Sequence, residues 1–374
     1  MDPQFWQGKR VLVTGHTGFK GSWLSLWLHS MGANVTGLSN GIPEGGSLFD
    51  DARIGELITD RRGDVRDLDA VSAALEDSDA EIVFHLAAQS LVHRSYQQPA
   101  ETISTNVMGT TNVLEALRLR AVPCAAVMIT SDKCYRNKEW TWGYRETDEL
   151  GGRDPYSASK GAAELSIRTY SQSFLTPEEG FAVASVRAGN VVGGGDWSEF
   201  RLIPDLMRAF ASGERLLIRE PYALRPWQHV LEPLSAYMNV AERLVKDPDR
   251  AIGGWNVGPD IHEIRPVGWL ADKLAESWGD GVGWDLDGKV YPHEDTFLRL
   301  DCTKIASRLG WRPVFGLPET LEWVTEWYKA HAADEDARTV TLAQIARYQT
   351  RRTGADAELA ADTFVVPDEK ITCT

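Results

Sequence analysis

Tyr156-Ser157-Ala158-Ser159-Lys160 sets a phenol and an ammonium four residues apart, which places them on one face of any helix that carries them. A lysine cation beside a phenol favours the phenolate and lowers a pKa that starts near 10. Bringing that pKa to about 7 takes roughly 4 kcal/mol of differential stabilisation, and a partly desolvated cation supplies part of it. Such a tyrosinate removes a hydroxyl proton while hydride leaves the same carbon. Taken alone, the pair reads better as an exposed helix pair; downstream of a glycine loop in the right fold it becomes a strong signal. Upstream, Thr130-Ser131-Asp132-Lys133-Cys134-Tyr135 adds a hydroxyl, a carboxyl and an amine. Ser131 can hydrogen-bond the hydroxyl being oxidised. Asp132 and Lys133 form an acid–base pair beyond the needs of simple alcohol oxidation, with a loop ion pair as the plain alternative. Cys134 has neither a helix N-terminus nor a dedicated histidine beside it, so it is not expected to be a nucleophile.

A second constellation begins at Gly15-His16-Thr17-Gly18-Phe19-Lys20-Gly21, a GxxGxxG run between an apolar strand and a helix. The first glycine permits a tight turn and the second lets backbone approach a pyrophosphate. The third lets the helix pack close, with its N-terminal N–H groups facing the anion. Gly15, Thr17, Gly18, Phe19, Lys20 and Gly21 are therefore expected around a dinucleotide, whose nicotinamide would bring further positive charge to Tyr156. Asp64, followed by Val65, can meet an adenine amino group, and Leu86-Ala87-Ala88-Gln89 forms a small-residue shelf at a strand end. His85 is expected to be a satisfied core histidine. The carboxylate that commonly follows the second strand of NAD-binding folds is missing, since the strand ends in Leu38-Ser39-Asn40. NAD is expected over NADP on balance.

Strands and helices must hold these groups. Uniformly apolar runs at 11–14, 34–38, 81–86, 125–130 and 182–187 alternate with helical patterns at 19–31, 70–75, 105–120 and 157–174, which implies a parallel sheet covered on both faces. The expected class is α/β: a doubly wound parallel-sheet Rossmann fold with a smaller interleaved α/β substrate-binding domain. The first domain spans 1–190 with a returning segment about 228–258, the second spans 191–227 and 259–345, and 346–374 forms a C-terminal arm or tail. In 374 residues, 39 Lys and Arg face 54 Asp and Glu, a formal charge of −15. That surface repels phosphate backbones and anionic lipid, so neither nucleic acid nor membrane is an expected partner. Residues 21–43 hold no Asp, Glu, Lys or Arg, yet Ser22, Ser25, His29, Ser30 and Asn34 break them into a buried helix, a turn and a strand. Cys124, Cys134, Cys302 and Cys373 show no disulfide or metal-site spacing, no metal is expected, and the first ten residues lack a signal-peptide order. A cytoplasmic setting with reduced thiols fits best.

Together these residues resemble the extended short-chain dehydrogenase/reductases that modify nucleotide sugars, and among them the 4,6-dehydratases. The resemblance covers roughly residues 4–345. It includes Arg187-Ala188-Gly189-Asn190-Val191-Val192-Gly193-Gly194-Gly195-Asp196-Trp197, and its more specific strings are Ser131-Asp132-Lys133-Cys134-Tyr135 and Arg225-Pro226-Trp227-Gln228-His229. Lys133 stands where dTDP- and GDP-sugar enzymes carry Glu, which implies the CDP type. The resemblance implies an NAD recycled within one turnover: oxidation at C4, elimination of water across C5 and C6, then hydride return to C6. Tyr156, Lys160 and Ser131 would serve the oxidation. Asp132 would be the acid at O6, and Lys133 either base or enolate stabiliser. Asn106 and Thr130 join the cofactor set. Asn190, Arg201, Arg219, Arg225, His229 and Arg299 are candidates for the nucleotide-sugar substrate, each arginine being alternatively a structural ion pair. A homodimer packing helices 105–120 and 157–174 is implied. An epimerase or a dehydratase of another sugar nucleotide stays open as the alternative, and a non-catalytic nucleotide sensor is disfavoured by the presence of Tyr156, Lys160 and Asp132 together.

Overall fold

The computed structural model describes residues 2–287 and 297–362. At its centre seven strands form one parallel sheet. They are β1 (Arg10–Thr14), β2 (Asn34–Ser39), β3 (Thr59–Arg62), β4 (Ile82–His85), β5 (Cys124–Ile129), β6 (Phe181–Ala188) and β7 (Gly253–Val257). Their spatial order is β7-β6-β5-β4-β1-β2-β3. Strands β4, β5 and β6 are buried along their whole length, which is why they read as unbroken apolar runs. Strand β3 gave no such signal, because Thr59-Asp60-Arg61-Arg62 is an edge strand with its charges turned to water.

Helices cover both faces. On one side lie α2 (Leu68–Ser78), α3 (Gly109–Arg120) and α4 (Pro155–Ser173), with Val71, Leu75, Val113, Leu114, Leu117 and Ile167 in the core. On the other lie α1 (Phe19–Ser30), α5 (Leu231–Lys246), α6 (Leu317–Ala332) and α7 (Ala337–Asp362). Helix α1 has Trp23, Leu24, Leu26, Trp27 and Leu28 all without solvent exposure. No helix among the described residues is long and apolar enough to cross a membrane.

The chain leaves the sheet after β6 and comes back to it. Segment 191–227 pairs with later chain at three places: Val191–Val192 runs parallel to Gln228–His229, Leu224–Arg225 runs antiparallel to Arg265–Pro266, and Arg215–Ile218 runs parallel to Gly283–Leu286. Between these segments, α5 packs on the sheet and β7 extends it beside β6.

One expected boundary is corrected. Residue 346 does not begin an arm, because it lies inside α7, where Ile345 and Tyr348 are buried. The Tyr348 hydroxyl donates to Glu232 Oε2 at 2.8 Å, while Glu232 Oε1 accepts the Val314 and Phe315 amides at 2.8 Å each. Weak periodicity hid this helix because only part of one face meets the core. Residues 363–374, including Cys373, lie outside the described residues. Since an incompletely satisfied buried carboxyl group is costly, Tyr348→Phe should lower stability by about 1–3 kcal/mol. A denaturation midpoint equal to the wild type's would contradict that anchoring role.

Candidate active site

The strand order reverses between β1 and β4, and a crevice at the carboxyl ends of their strands is where such sheets take ligands. There the glycine loop closes tightly. Gly15 has φ +72°, and a Cβ on it would stand 2.7 Å from the Ala87 amide nitrogen after β4. A Cβ on Gly21 would fall 2.1 Å from the Gly15 carbonyl oxygen. Gly18 caps α1 without a side-chain hydrogen bond, leaving the first-turn N–H groups to an anionic ligand.

Around this loop the expected cofactor residues play different parts. The Thr17 hydroxyl donates to the Gly41 carbonyl at 2.6 Å and lies 2.8 Å from Ser39 Oγ, so it braces the loop against the end of β2. Phe19 is half-buried, beneath the backbone of Gly193. Asp64, following β3, accepts both Nε and Nη2 of Arg66, and this pairing holds its carboxyl below the usual range. Val65 is buried against Gly109. The Leu86 and Ala87 amides donate to the Thr14 carbonyl and hydroxyl. Asn106 clamps Gln89: its Oδ1 accepts the Gln89 amide at 2.8 Å, and its Nδ2 donates to the Gln89 carbonyl at 2.9 Å and to Ser159 Oγ at 2.8 Å. His85 is a satisfied core residue, 2.8 Å from Thr14 Oγ1 and 3.1 Å from Thr110 Oγ1, and burial depresses its pKa to about 3.

The candidate reacting groups gather where β5 and α4 meet. After Thr130, Ser131 caps a single turn over Asp132–Cys134 and donates to Asp132 Oδ1 at 2.9 Å. Helix α4 begins at Pro155 behind Asp154, whose carboxylate accepts the Ser157 amide at 2.9 Å. This cap sets Tyr156 and Lys160 in the first two turns, both buried. Burial pushes the Tyr156 phenol up to about 12, against a hydrogen bond with Ser131 and the positive charge of Arg201. Burial pulls Lys160 down to about 8, against the negative charge of Glu164. Burial likewise raises Asp132, opposed chiefly by Lys133, so its carboxyl is biased towards the acid form. Lys20 reaches the same place from α1: burial lowers it to about 7, with Lys160 and Arg201 adding repulsion. Lys133 is half-buried and faces a cavity of about 340 Å³ shared with Tyr135, Asn137, Arg153, Ser157 and Leu298.

The residues present fit a dinucleotide. The loop is a cradle that a Cβ would fill, and the buried Lys160 lies within electrostatic range of Lys20 at the start of α1.

The expected substrate residues divide. Arg225 is half-buried and close enough to Asp132 to act on its ionisation. Arg201 bridges Asp196 at 2.8 Å and Ser90 at 2.9 Å and acts electrostatically on Tyr156. Asn190 follows β6, its carbonyl accepting the Gln228 amide at 3.0 Å. Arg219 is exposed and within electrostatic range of Asp205. Arg299 sits over the Phe297 ring, 5.1 Å from its centroid. His229 is not brought to the crevice. It has no solvent exposure, its ring lies among Trp23, Phe315 and Trp323, and burial lowers its pKa to about 3. The Cys134 thiol is buried and pushed well above its ordinary pKa, which suits no nucleophile. The residues overlooked in the sequence are Lys20 as a neighbour of the reacting groups, Ser90 and Glu164. Only Glu164 carried a signal, since it continues the Tyr156–Lys160 spacing by one further helical step.

With this geometry in view, comparison with known proteins places the chain. Residues 12–324 match the family model described as GDP-mannose 4,6 dehydratase, and the chain belongs to that family of nucleotide-sugar-modifying enzymes. A CDP-glucose 4,6-dehydratase of Salmonella typhimurium is 50% identical over 357 residues, covering 94% of this chain and 99% of that protein. A dTDP-glucose 4,6-dehydratase of Streptomyces niveus is 30% identical, covering 87% and 94%. Among solved structures, MoeE5 in complex with UDP-glucose and NAD aligns with a TM-score of 0.70 at 26% identity, over 87% of this chain and 99% of that one. An epimerase of Methanothermobacter thermautotrophicus shares the fold, with a TM-score of 0.76 at 24% identity over 88% and 94%.

The loop geometry yields a direct test. Gly21→Ala should weaken dinucleotide binding by at least about tenfold, measured by titration calorimetry. Unchanged affinity would mean that the loop is not the cradle.

Proposed function

We propose that this chain is a CDP-glucose 4,6-dehydratase that converts CDP-glucose to CDP-4-dehydro-6-deoxy-D-glucose and water, with NAD as its resident cofactor. The observation that carries the reading is the convergence of Ser131, Asp132, Tyr156 and Lys160 at the carboxyl ends of β4, β5 and β6, beside the glycine loop. The 50% likeness to the Salmonella enzyme supports the CDP-sugar, and the complex of MoeE5 with NAD supports the cofactor.

Bound NAD would supply a hydride acceptor for C4 and a hydride donor for C6. The chain does the rest. Ser131 hydrogen-bonds the C4 hydroxyl, and Tyr156 takes its proton once the phenol is brought down from about 12 by nearby positive charge. Lys160 orients the ribose and holds positive charge near the phenol. The C4 ketone acidifies the C5 proton, which is inert before oxidation, so the order of steps is fixed by chemistry. Asp132, held towards its acid form, protonates O6 as water leaves. Lys133 faces the enolate, either taking the C5 proton or stabilising the charge. Arg201 and Arg225 hold the diphosphate end and Asn190 the sugar or diphosphate, while Thr17, Asn106 and Gln89 shape the cofactor crevice. A homodimer is part of this reading, supported by exposed Leu119 on α3 and Leu165 on α4, with Ile103 and Met108 just ahead of α3. A cytoplasmic setting is part of it too, supported by the free thiols of Cys124, Cys134 and Cys302.

Incubation with CDP-, dTDP-, UDP- and GDP-glucose should give a keto sugar lighter by one water from the CDP-sugar. An unchanged mass with an inverted carbon would favour an epimerase, and a different preferred base would refute the assigned substrate. Tyr156→Phe should yield no keto sugar at all, and retained turnover in that variant would remove Tyr156 as the base. Lys133→Ala should accumulate the 4-ketone without loss of water, detected by mass spectrometry. Normal dehydration there would remove Lys133 from the elimination.

A further inference from the structure

The groups assigned to elimination sit on one short loop, and both ends of that loop are tied to the same buried ion pair. Glu164 on α4 and Arg187 on β6 meet at 2.5 Å, with side chains 3% and 6% exposed. At the loop's start, Thr130 Oγ1 donates to Glu164 Oε1 at 2.5 Å. At its end, Arg187 Nη1 donates to the Tyr135 hydroxyl at 2.7 Å, and the guanidinium lies 5.1 Å from the Tyr135 ring centroid. That hydroxyl in turn donates to Asn256 Oδ1 on β7 at 2.7 Å. Asn256 Nδ2 reaches the carbonyls of Tyr144 at 2.7 Å and Asp301 at 3.2 Å. The second carboxylate oxygen of Glu164 also accepts Ser185 Oγ at 2.8 Å.

A buried ion pair is poor evidence of stability, since desolvation offsets much of the attraction and well-packed apolar residues often do as well. What this pair supplies is placement. We infer that Glu164 and Arg187 are positioning residues for the dehydration: they fix the Ser131–Cys134 turn from both sides and set it against the helix that carries Tyr156 and Lys160. The inference rests on the proposed function and extends it to groups that touch neither sugar nor cofactor. An electrostatic duty comes with it. Lys160 faces Glu164 from its own helix, Lys20 from α1, His85 from β4 and the Cys134 thiol from the loop. Among these Glu164 is the carboxylate, and it opposes the loss of charge that burial imposes on Lys160.

The test uses the full chain with NAD and CDP-glucose, comparing Tyr135→Phe, Thr130→Val, Thr130→Ser and Glu164→Gln. Tyr135→Phe and Thr130→Val each free one end of the loop and should lower kcat roughly 10–100-fold, the scale of an ångström's misplacement. KM for CDP-glucose should stay within about twofold, because neither change removes a group assigned to the sugar nucleotide. Thr130→Ser, which keeps the hydroxyl, should restore turnover. Without any substrate, amide exchange across residues 131–135 should quicken in Tyr135→Phe. In Glu164→Gln the alkaline limb of the kcat profile should move to lower pH, because Lys160 then loses its proton sooner. Should that variant fail to fold, the two hydroxyl deletions decide the matter. Wild-type kcat and exchange in both, or a raised KM at constant kcat, would overturn the positioning role. If the wild-type chain itself leaves CDP-glucose unchanged, the functional reading fails and this assignment falls with it.

Discussion

Removing ionisable groups from water at one edge of the sheet is the constraint on which the rest depends. Low dielectric disfavours every charged form, so burial lifts Tyr156 to about 12 and biases Asp132 to its acid, while it draws Lys160 to about 8 and Lys20 to about 7. Three of these shifts serve the proposed chemistry: a carboxyl biased to its acid form suits proton donation to a departing hydroxyl, and the two lysines, poised near neutrality, respond to whatever binds beside them. The fourth works against it, since Tyr156 must lose a proton that burial makes it keep. Ser131 and Arg201 offset part of that cost. In the proposed reaction the remainder would fall to the positive charge of a bound nicotinamide, so that occupancy of the crevice would switch the proposed base on.

Such a site needs stiff walls, and the parallel sheet supplies them. The candidate groups lie within a few residues of a strand end or a helix N-terminus: Ser131 and Asp132 after β5, Asn190 after β6, Tyr156 behind the Asp154 cap. A Cβ on Gly189 would come 3.0 Å from Asp132 Oδ2, so the absence of a side chain there leaves the carboxyl group its place. Beyond β6 the chain is tied back to the sheet's edge, where Arg201, at the start of the helix Leu202–Ala211, donates to Ser90 beyond β4.

Much of this was legible in the sequence wherever one local rule governed. Uniformly apolar strands announced β1, β2, β4, β5 and β6, and glycine spacing announced the cradle, because a Cβ has no room at Gly15 or Gly21. The YxxxK spacing announced a shared helical face. What stayed hidden depended on long-range packing. The edge strand Thr59–Arg62 carries charges outward, and α7 buries only part of its surface, so neither shows a period. His229 stands in an arginine-rich, aromatic string that suggested a ligand contact, yet its ring belongs to the core beside Trp23 and Phe315. Lys20 was expected at the dinucleotide, and the fold also brings it, beside Tyr237 on α5, within electrostatic range of Lys160 and Asp132.

The central claim is that oxidation, elimination and reduction occur at one set of fixed groups without release of the sugar. Following hydrogen from C4 tests this most directly. A mixture of unlabelled CDP-glucose and CDP-glucose carrying deuterium at C4 and heavy carbon in the ring should give product with deuterium at C6 only in heavy-carbon molecules. Deuterium lost to water, retained at C4, or scrambled onto light molecules would contradict the account.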